Sequence, residues 1–248
     1  GQPYGLLFPQ VTIRDFVRLQ KMLLEFLGIE HLVCVAGPSM GGMQALKWAV
    51  DYPDFMDCVI TVVSTGRTSA FTSINPLQIG IDAILANKEA GLHLAIKAMT
   101  IQASSYSQWE RSWSHEVVSP RKEGVEQPLQ FQRSFNDIVN ERMKTVNAYH
   151  WLYLCLVCQQ FTLESGYRSY DYALSRVKAK VLAISSSSDL IFPASESKDL
   201  IQRLQKLNKD AYYRQWASNG GHIEAISGCS AFSDLISDFL ARRIPKYL

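Results

Sequence analysis

The chain alternates between stretches in which apolar residues recur at helical spacing and short stretches that are apolar throughout. Thr12 and Asp15 resemble a capping box, which indicates the start of a helix. Apolar residues then keep helical spacing through residues 13–27 until Gly28 ends the run. Residues 31–36 follow as an apolar strand, of the kind that helices cover on both faces in a parallel sheet. The pattern predicts an amphipathic helix that leads into a buried strand.

The same alternation continues along the chain and predicts a doubly wound α/β sheet with right-handed crossovers. The further predicted elements are a helix at 42–50, a strand at 58–63, a strand at 180–185, a helix at 195–207, a strand at 211–216 and a final helix at 230–243. These elements fall into two groups, which are separated by a long segment without strand signals.

That separating segment runs from about residue 69 to residue 170, and its pattern is helical, polar and interrupted. Asn75-Pro76, Ser119-Pro120 and Gln127-Pro128 act as breakers within it. We interpret 69–170 as a helical cap inserted into an α/β core that is formed by residues 1–68 and 171–248.

Composition narrows the class of protein. The 248 residues and the 47% apolar content fit one domain, or one domain with an inserted subdomain. Lys and Arg number 25 against 23 Asp and Glu, and no basic cluster with interleaved aromatic residues is present. This balance gives no indication of binding to nucleic acid or to a membrane surface, so a small-molecule partner is predicted.

Compartment and metal content follow from further sequence features. No apolar run is long enough to span a bilayer, and no leader of charged and then apolar residues precedes the first helix. The five cysteines are typical of reduced intracellular thiols, so a cytoplasmic location is predicted. Cys155 and Cys158 form a C-x-x-C motif inside the apolar helical run 151–161, which favours buried core thiols over a metal or redox site. No metal site is predicted.

Residues 33–49, VCVAGPSMGGMQALKWA, pass from an apolar run through a tight turn into helical spacing. A serine on such a strand-to-helix turn needs small residues two positions before and after it, which Gly37 and Gly41 supply. The segment therefore predicts a nucleophile elbow with Ser39 as the nucleophile. The backbone amide of Met40, at the positive end of the following helix, is predicted to stabilise an oxyanion.

A nucleophilic serine needs a base and an acid that orients the base, and in this kind of fold they follow in the order serine, acid, histidine. Asp189 directly follows the predicted strand 180–185, and His222 follows the strand 211–216 through a glycine-containing loop at 219–221. Their order and their places at strand ends predict a triad of Ser39, Asp189 and His222.

Each of these residues also has a structural reading, and other histidines compete for the role of base. Asp189 is equally typical of a turn former or a helix cap, and His222 of a solvated loop histidine. The other histidines are less well placed: His31 precedes the elbow strand, and the remaining ones fall in the predicted cap, where His150 is a candidate for lining a pocket. The histidines of the predicted cap are His93, His115 and His150.

Four motifs together resemble the homoserine O-acetyltransferases of the α/β-hydrolase superfamily, and the likeness runs along nearly the whole chain. The motifs are TIRDFVRLQKMLLEFLGIEHL, GPSMGGMQALKWAVDYPD, NAYHWLYL and SSSSDLIFP. The resemblance implies an α/β-hydrolase fold and an enzyme of methionine biosynthesis that takes acetyl from acetyl-CoA onto serine and passes it to the hydroxyl of homoserine. It also implies the triad Ser39, Asp189 and His222, a substrate-carboxylate contact from Arg67, and a homodimer formed through the cap helices.

The sequence departs from that family in two places. The family's catalytic histidine is usually followed by an aspartate that holds the substrate amine, whereas His222 is followed by Ile223 and Glu224. Either Glu224 takes over the contact, or the acceptor is another hydroxylated metabolite such as serine. The opening GQPYGLLFP lies, in the family, after the first strands and after the loop with the second oxyanion amide. The elbow strand is therefore predicted to lack a neighbour on one side, as if the amino-terminal strands were missing.

Two further functions stay open on the sequence. A serine hydrolase or esterase uses the same triad and differs only in whether water or an alcohol resolves the acyl-enzyme. A truncated, non-catalytic member that acts as a binding or assembly module is the other alternative.

Overall fold

The computed structural model describes residues 4–113 and 130–241, and a four-stranded parallel sheet lies at its centre. The strands are β1 (Leu32–Pro38), β2 (Met56–Val62), β3 (Lys180–Ser186) and β4 (Ala211–Trp216), in the spatial order β1-β2-β3-β4. Every neighbouring pair is parallel. The predicted α/β class and each predicted strand are confirmed, with small shifts at the strand ends.

Helices connect the strands and form the inserted segment. They are α1 (Ile13–Phe26), α2 (Met40–Asp51), α3 (Ala70–Thr72), α4 (Ile79–Ala86), α5 (Lys88–Ala103), α6 (Tyr106–Trp113), α7 (Gln130–Met143), α8 (Ala148–Gln159), α9 (Tyr170–Ser175), α10 (Ala194–Lys206), α11 (Gly221–Ser227) and α12 (Ser233–Leu240). Short 3-10 helices lie at Gly5–Leu7 and Cys229–Phe232, and a π-helical stretch lies at Ser73–Gln78.

The two central strands separate two hydrophobic clusters. Val59 and Val181 point into a large cluster that α1 and α2 cover, whereas Ile60 and Leu182 point into a second cluster that includes Phe239 of α12. Successive side chains of a strand point to opposite faces, so helices on both faces bury most of β2 and β3, with Asp57 an exposed exception. This burial fixes the carboxyl ends of the strands, where the candidate site lies.

The first strand differs from its prediction, because it is not covered on both faces. Val33 is 69% exposed, and Ala36 and Pro38 are exposed as well. Within the described ranges β1 pairs with β2 alone, so it forms an edge of the sheet. Leu32, Cys34 and Val35 still pack against the two clusters, so β1 is covered only in part.

Residues 70–113 and 130–159 contain helices and, as far as they are described, no strand. The predicted break at Asn75-Pro76 is observed as a kink, with φ −126° and ψ 113° at Asn75. The other two predicted breakers, Ser119-Pro120 and Gln127-Pro128, lie outside the described residues. The segments before and after this helical region run antiparallel to each other through the Arg67–Thr162 bridge. The division into a core and a cap at 69 and 170 stays a prediction.

Two details at the carboxyl end of the chain correct the prediction. The region predicted as one helix at 230–243 is a 3-10 helix at Cys229–Phe232 followed by α12, and residues beyond 241 lie outside the described chain. The stretch around His222 is not only a loop. Gly221 and His222 open the short helix α11, whose seven residues carry too little periodicity to be found from the sequence.

Cys155 and Cys158 lie inside α8, and burial raises the pKa of both thiols to about 12. In residues 4–113 and 130–241 there is no cluster of three or more His, Cys, Asp or Glu side chains that could hold a metal ion. In the same ranges no helix is both long and apolar enough to cross a membrane.

Candidate active site

Ser39 lies between the end of β1 and the start of α2, in a backbone conformation that L-residues rarely adopt. Its φ is 52° and its ψ is −123°. Gly37 makes this turn possible, because a Cβ there would lie 2.4 Å from the carbonyl carbon of Gly41. The turn lifts the Ser39 side chain above the end of the sheet, where it is half-buried.

The steric need for a second small residue falls mainly on Gly42 rather than on Gly41. A Cβ on Gly41 would meet only Pro38, at 3.4 Å, whereas a Cβ on Gly42 would lie 2.4 Å from Thr61 Oγ1 and 2.6 Å from Ser64 Cβ. Gly42 therefore lets α2 pack closely against β2 and its following loop. The sequence motif predicts this role for Gly41, two positions after the serine, whereas the tertiary contacts give it to Gly42.

The structure brings Ser39, His222 and Asp189 into one hydrogen-bonded line. His222 Nε2 lies 2.9 Å from Ser39 Oγ, and His222 Nδ1 lies 2.8 Å from Asp189 Oδ2. The imidazole is 4% exposed and the carboxylate is fully buried. Because an ionised carboxylate can only accept hydrogen bonds, Nδ1 carries the proton, and Nε2 is free to accept from the serine hydroxyl.

Asp189 is held by the backbone that follows β3. Its Oδ1 accepts hydrogen bonds from the amides of Ile191, at 2.8 Å, and Phe192, at 3.0 Å. These two bonds leave Oδ2 for the imidazole and satisfy a buried charge that would otherwise be costly. The ring of Phe192 also lies against His222, with 5.7 Å between ring centroids. The Asp189 carboxylate is thus held in place and fixes the orientation of the His222 imidazole.

The predicted oxyanion donor is placed at the start of α2. Met40 is the first residue of that helix, so its backbone N–H has no partner within the helix. The carbonyl of Ser39 itself accepts from Ser64 Oγ at 2.8 Å and from the amide of Gly42 at 2.9 Å. These bonds fix the peptide that carries the Met40 amide and so orient this donor at the positive end of the helix dipole.

The competing histidines lie elsewhere. His31 Nε2 contacts Asp57 at 3.1 Å on the surface, and His93 lies in α5, where burial lowers its pKa. His150 lines a cavity of about 470 Å³ with aromatic and aliphatic residues from α1 and α8, and no triad residue borders that cavity. His115 lies outside the described residues.

Arg67 stacks on an aromatic ring and borders a polar pocket. Its guanidinium lies 5.0 Å above the ring of Tyr170, in a polar pocket of about 240 Å³ that also includes Glu196 and Asp199. The lining of that pocket contains none of Ser39, Asp189 and His222. Burial raises the pKa of Glu196, which borders the same pocket. Arg67 is therefore available to a ligand in this pocket, and its contact with a substrate carboxylate stays a prediction.

Glu224 turns back onto the loop before His222 instead of pointing to the serine. Its Oε2 accepts from the backbone amide of Gly220 at 2.6 Å and from the hydroxyl of Ser218. Ile223, at the position where the resembling family carries an aspartate, is 38% exposed. The observed hydrogen bonds of Glu224 are therefore made within its own loop, and its contact with a substrate amine stays a prediction.

Sequence reasoning missed the residues that hold the histidine loop. Gly221 Cα has φ +75°, and a Cβ there would lie 2.9 Å from the carbonyl oxygen of Ala103 at the end of α5. Ser105, just after α5, donates its hydroxyl to the carbonyl of Asn219. The serine run before Asp189 contributes too, since Ser188 Oγ accepts from the amide of Gly221 at 3.0 Å. Only the glycine pair in this loop gave a signal in the sequence.

Comparisons with known proteins agree with this architecture. The sequence model of the alpha/beta hydrolase fold matches residues 7–227. The homoserine O-acetyltransferase of Deferribacter desulfuricans is 30% identical over 98% of this chain and 68% of its own length. That of Geobacter sulfurreducens is 32% identical over 98% of this chain and 69% of its own length.

Solved structures match over similar lengths. The homoserine O-acetyltransferase from Bacillus anthracis superposes with a TM-score of 0.91 at 28% identity, covering 99% of this chain and 69% of its own. Esterase E22 superposes with a TM-score of 0.90 at 32% identity, covering 97% of this chain and 69% of its own. With the fold and the relatives in agreement, the chain belongs to the homoserine O-acetyltransferase family of the α/β-hydrolase fold.

Proposed function

We propose that the chain is an acyltransferase that carries the acyl group as an ester of Ser39. The observation that carries this proposal is the unbroken line from Asp189 through His222 to the Ser39 hydroxyl, with distances of 2.8 Å and 2.9 Å. Such a line raises the nucleophilicity of a serine because the imidazole accepts its proton during attack.

The proposed reaction has two halves. Ser39 Oγ attacks the carbonyl carbon of a thioester while its proton passes to His222 Nε2, and the carbon–sulfur bond then breaks as the leaving thiolate takes that proton. In the second half a hydroxyl gives its proton to Nε2 and attacks the acyl-serine carbonyl, and the bond from that carbon to Ser39 Oγ then breaks as Oγ takes the proton back from Nε2. Asp189 stabilises the imidazolium in each half, and the Met40 amide stabilises the oxyanion.

Family membership supports acetyl-CoA as the donor and the hydroxyl of homoserine, or of a similar amino acid, as the acceptor. No resident cofactor takes part in this scheme, since acetyl-CoA is a substrate. Of the two residues proposed from the resemblance to hold the acceptor, Arg67 borders a polar pocket with Glu196 and Asp199, and Glu224 is bonded to its own loop. We therefore keep the acyl-enzyme and the hydroxyl acceptor as the proposal and assign no acceptor contact to either residue.

An esterase is the second candidate, and one specific observation favours it. The residue after the histidine, Ile223, presents an exposed apolar side chain, which cannot pair with the ammonium group of an amino acid. Esterase E22 is also as similar to this chain as the transferases are. In that case water in place of an amino-acid hydroxyl resolves the acyl-Ser39 ester.

The test is incubation with acetyl-CoA labelled in the acetyl group, with and without homoserine or serine. Mass spectrometry of the quenched protein is expected to find acetyl on Ser39 together with about one CoA released per site, and CoA release beyond this first turnover is expected to require the hydroxyl acceptor. Continued release of CoA without the acceptor would replace the transferase with the esterase. A folded sample without label on Ser39 would support the non-catalytic alternative over both enzymes.

We also propose a homodimer formed through the cap helices. Apolar side chains are exposed along this region, which favours burial against a second copy. They include Ile79, Leu85, Leu94, Ile101 and Ile138. Sedimentation equilibrium is expected to show a dimer, and replacement of Leu85 and Leu94 by lysine is expected to shift the protein to monomer.

A further inference from the structure

We infer that Glu224 is a positioning residue for His222, which acts by anchoring the turn that leads into α11 rather than by contacting substrate. This inference rests on the proposed function, because it assigns Glu224 a part in the working of the same histidine. Glu224 lies two residues after His222 in the same short helix. Its carboxylate can therefore tie the turn before the histidine to the helix that carries it.

The contacts of the carboxylate define that anchor. Glu224 Oε2 accepts from the amide of Gly220, at 2.6 Å, and from the hydroxyl of Ser218. The amide of Gly220 is the one at the amino-terminal cap of α11, so the side chain closes the start of the helix as the glutamate of a capping box does. A carboxylate at this end also interacts favourably with the helix dipole.

The anchor packs closely against the turn. A Cβ on Gly220 would lie 2.5 Å from both Cβ and Oε2 of Glu224, so the glutamate packs directly on the backbone of the turn. Ser218 is itself tied to the loop after β3, because its amide donates to Ser187 Oγ at 3.1 Å. Through Ser218, Glu224 connects α11 to the loop that carries Asp189.

The consequence for His222 is geometric. His222 must keep both Nδ1 near Asp189 and Nε2 near Ser39, and a shift of about 1 Å at a catalytic group can lower a rate by about 100-fold. Without its anchor the Ser218 hydroxyl loses its acceptor, and the Gly220 amide keeps only the longer contact of 3.3 Å with Ser218 Oγ. The turn at 218–220 then moves to find new partners, and α11 moves with it.

Two substitutions separate positioning from substrate binding. Glu224→Gln keeps an oxygen that accepts both hydrogen bonds but removes the charge, whereas Glu224→Ala removes the acceptor. Glu30→Ala, at an exposed turn far from the loop in sequence, serves as the matched control. Circular dichroism establishes that each variant is folded before it is compared.

The first readout is acylation of Ser39 by p-nitrophenyl acetate, a substrate without an ammonium group. We expect Glu224→Ala to lower kcat by about 10- to 100-fold with little change in KM, since the base is misplaced and the acyl pocket is not. Glu224→Gln and Glu30→Ala are expected to stay within about 3-fold of the parent protein.

The second readout does not depend on activity. The proton on His222 Nδ1 that is shared with Asp189 gives a downfield NMR resonance, which is expected in the parent protein and in Glu224→Gln and is expected to weaken or vanish in Glu224→Ala. If Ser39 is not acylated in the parent protein, the proposed function fails and this resonance still decides the inference. An equal loss of kcat and of the resonance in both Glu224 variants, or no loss in either variant, would overturn the inference that Glu224 positions His222.

Discussion

Two buried polar networks in this molecule use the same kinds of groups for different ends. The triad joins Asp189 to His222 and Ser39 at the carboxyl edge of the sheet. The second, which we call the α2 network, surrounds Asp51 at the end of α2. Its members are Arg14, Lys47, Asp51 and Tyr167.

The α2 network is closed, whereas the triad ends at a reactive atom. Asp51 Oδ1 accepts from Tyr167 at 2.8 Å and lies 3.2 Å from Lys47 Nζ. Arg14 Nε is 3.1 Å from the other oxygen, as an ion contact rather than an aligned hydrogen bond. Every charged group there contacts a group of opposite charge. Because Arg14 lies in α1 and Tyr167 follows α8, the network also joins these two segments to α2. The hydrogen bonds of the triad instead end at the half-buried hydroxyl of Ser39.

Strain also distinguishes the two networks. Ser39 has φ 52° and ψ −123°, a conformation that glycine tolerates and other residues adopt at a cost. The residues of the α2 network that lie on helices have no such positive φ. The difference indicates that the elbow is held by its surroundings against a local preference, as is common where a side chain has a chemical role.

The largest effect is expected from Ser39→Gly, which removes the nucleophile and the strain together. Acetyl labelling at residue 39 is expected to disappear. The free energy of unfolding is expected to rise by about 1 kcal/mol, because glycine adopts this φ without steric cost. Ser39→Ala is the control, since it also lacks the hydroxyl but keeps the strain. Equal stability of the two variants in urea unfolding would contradict the strain argument.

Asp189→Asn is expected to lower the rate of Ser39 acylation by about 10⁴-fold with only a small change in stability. Its amide oxygen can still accept from Ile191 and Phe192, but its NH₂ group faces His222 Nδ1 and favours the wrong tautomer. Stopped-flow acylation with p-nitrophenyl acetate measures the rate. A loss below about 10-fold would mean that the acid is not needed to orient the base.

The corresponding aspartate-to-asparagine substitution in the α2 network is expected to lower stability and to leave acylation unchanged. Asp51→Asn leaves the buried Lys47 ammonium without a counter-charge and is expected to lower the free energy of unfolding by about 3 kcal/mol. The acetyl label per folded molecule is expected to stay unchanged. Asp54→Asn, at an exposed pair with Lys178, is the matched control and is expected to cost less than about 0.5 kcal/mol. Comparable losses in the two variants would show that burial does not matter here.

The smallest effect concerns the pH dependence of stability. Burial lowers the pKa of Lys47 from its ordinary value of 10.5. Between the lowered pKa and 10.5 the unfolded chain binds more protons than the folded one, so stability contributed by this group rises with pH, by at most about 1.4 kcal/mol per pH unit. Lys47→Met is expected to remove this rise, as measured by urea unfolding from pH 8 to 10.5. A rise that persists in Lys47→Met would assign it to another group.

The strand and helix order was predictable because each element carries its own hydrophobic period. The capping box at Thr12 and Asp15 is present, with the Thr12 amide donating to Asp15 Oδ2 at 2.9 Å. The elbow could be found because Gly37 and Ser39 form a local motif whose steric reason lies within a few residues. Asp189 and His222 could be found because both follow strand ends, and parallel strands place those ends at one edge.

Other features could not be predicted, because they depend on what distant segments place beside a residue. The side-chain directions of Glu224 and Arg67 are set by the turn at 218–220 and by the ring of Tyr170. The close approach that Gly42 permits depends on Thr61 of a different strand. The apolar pattern of β1 is the same in a covered strand and in an edge strand, so its place at an edge, with Val33 exposed, was expected only from the resemblance and not from the pattern.

The sequence by itself determined the α/β alternation, the elbow serine and the order of acid and base, because hydrophobic periodicity and turn chemistry are local. Only the tertiary structure decided that Glu224 binds the histidine loop, that Arg67 lies over the ring of Tyr170 and that Lys47 and Asp51 form a buried pair. Hydrogen bonds and ion pairs act over a few ångströms in space, and residues far apart along the chain come within that range only after the sheet has formed.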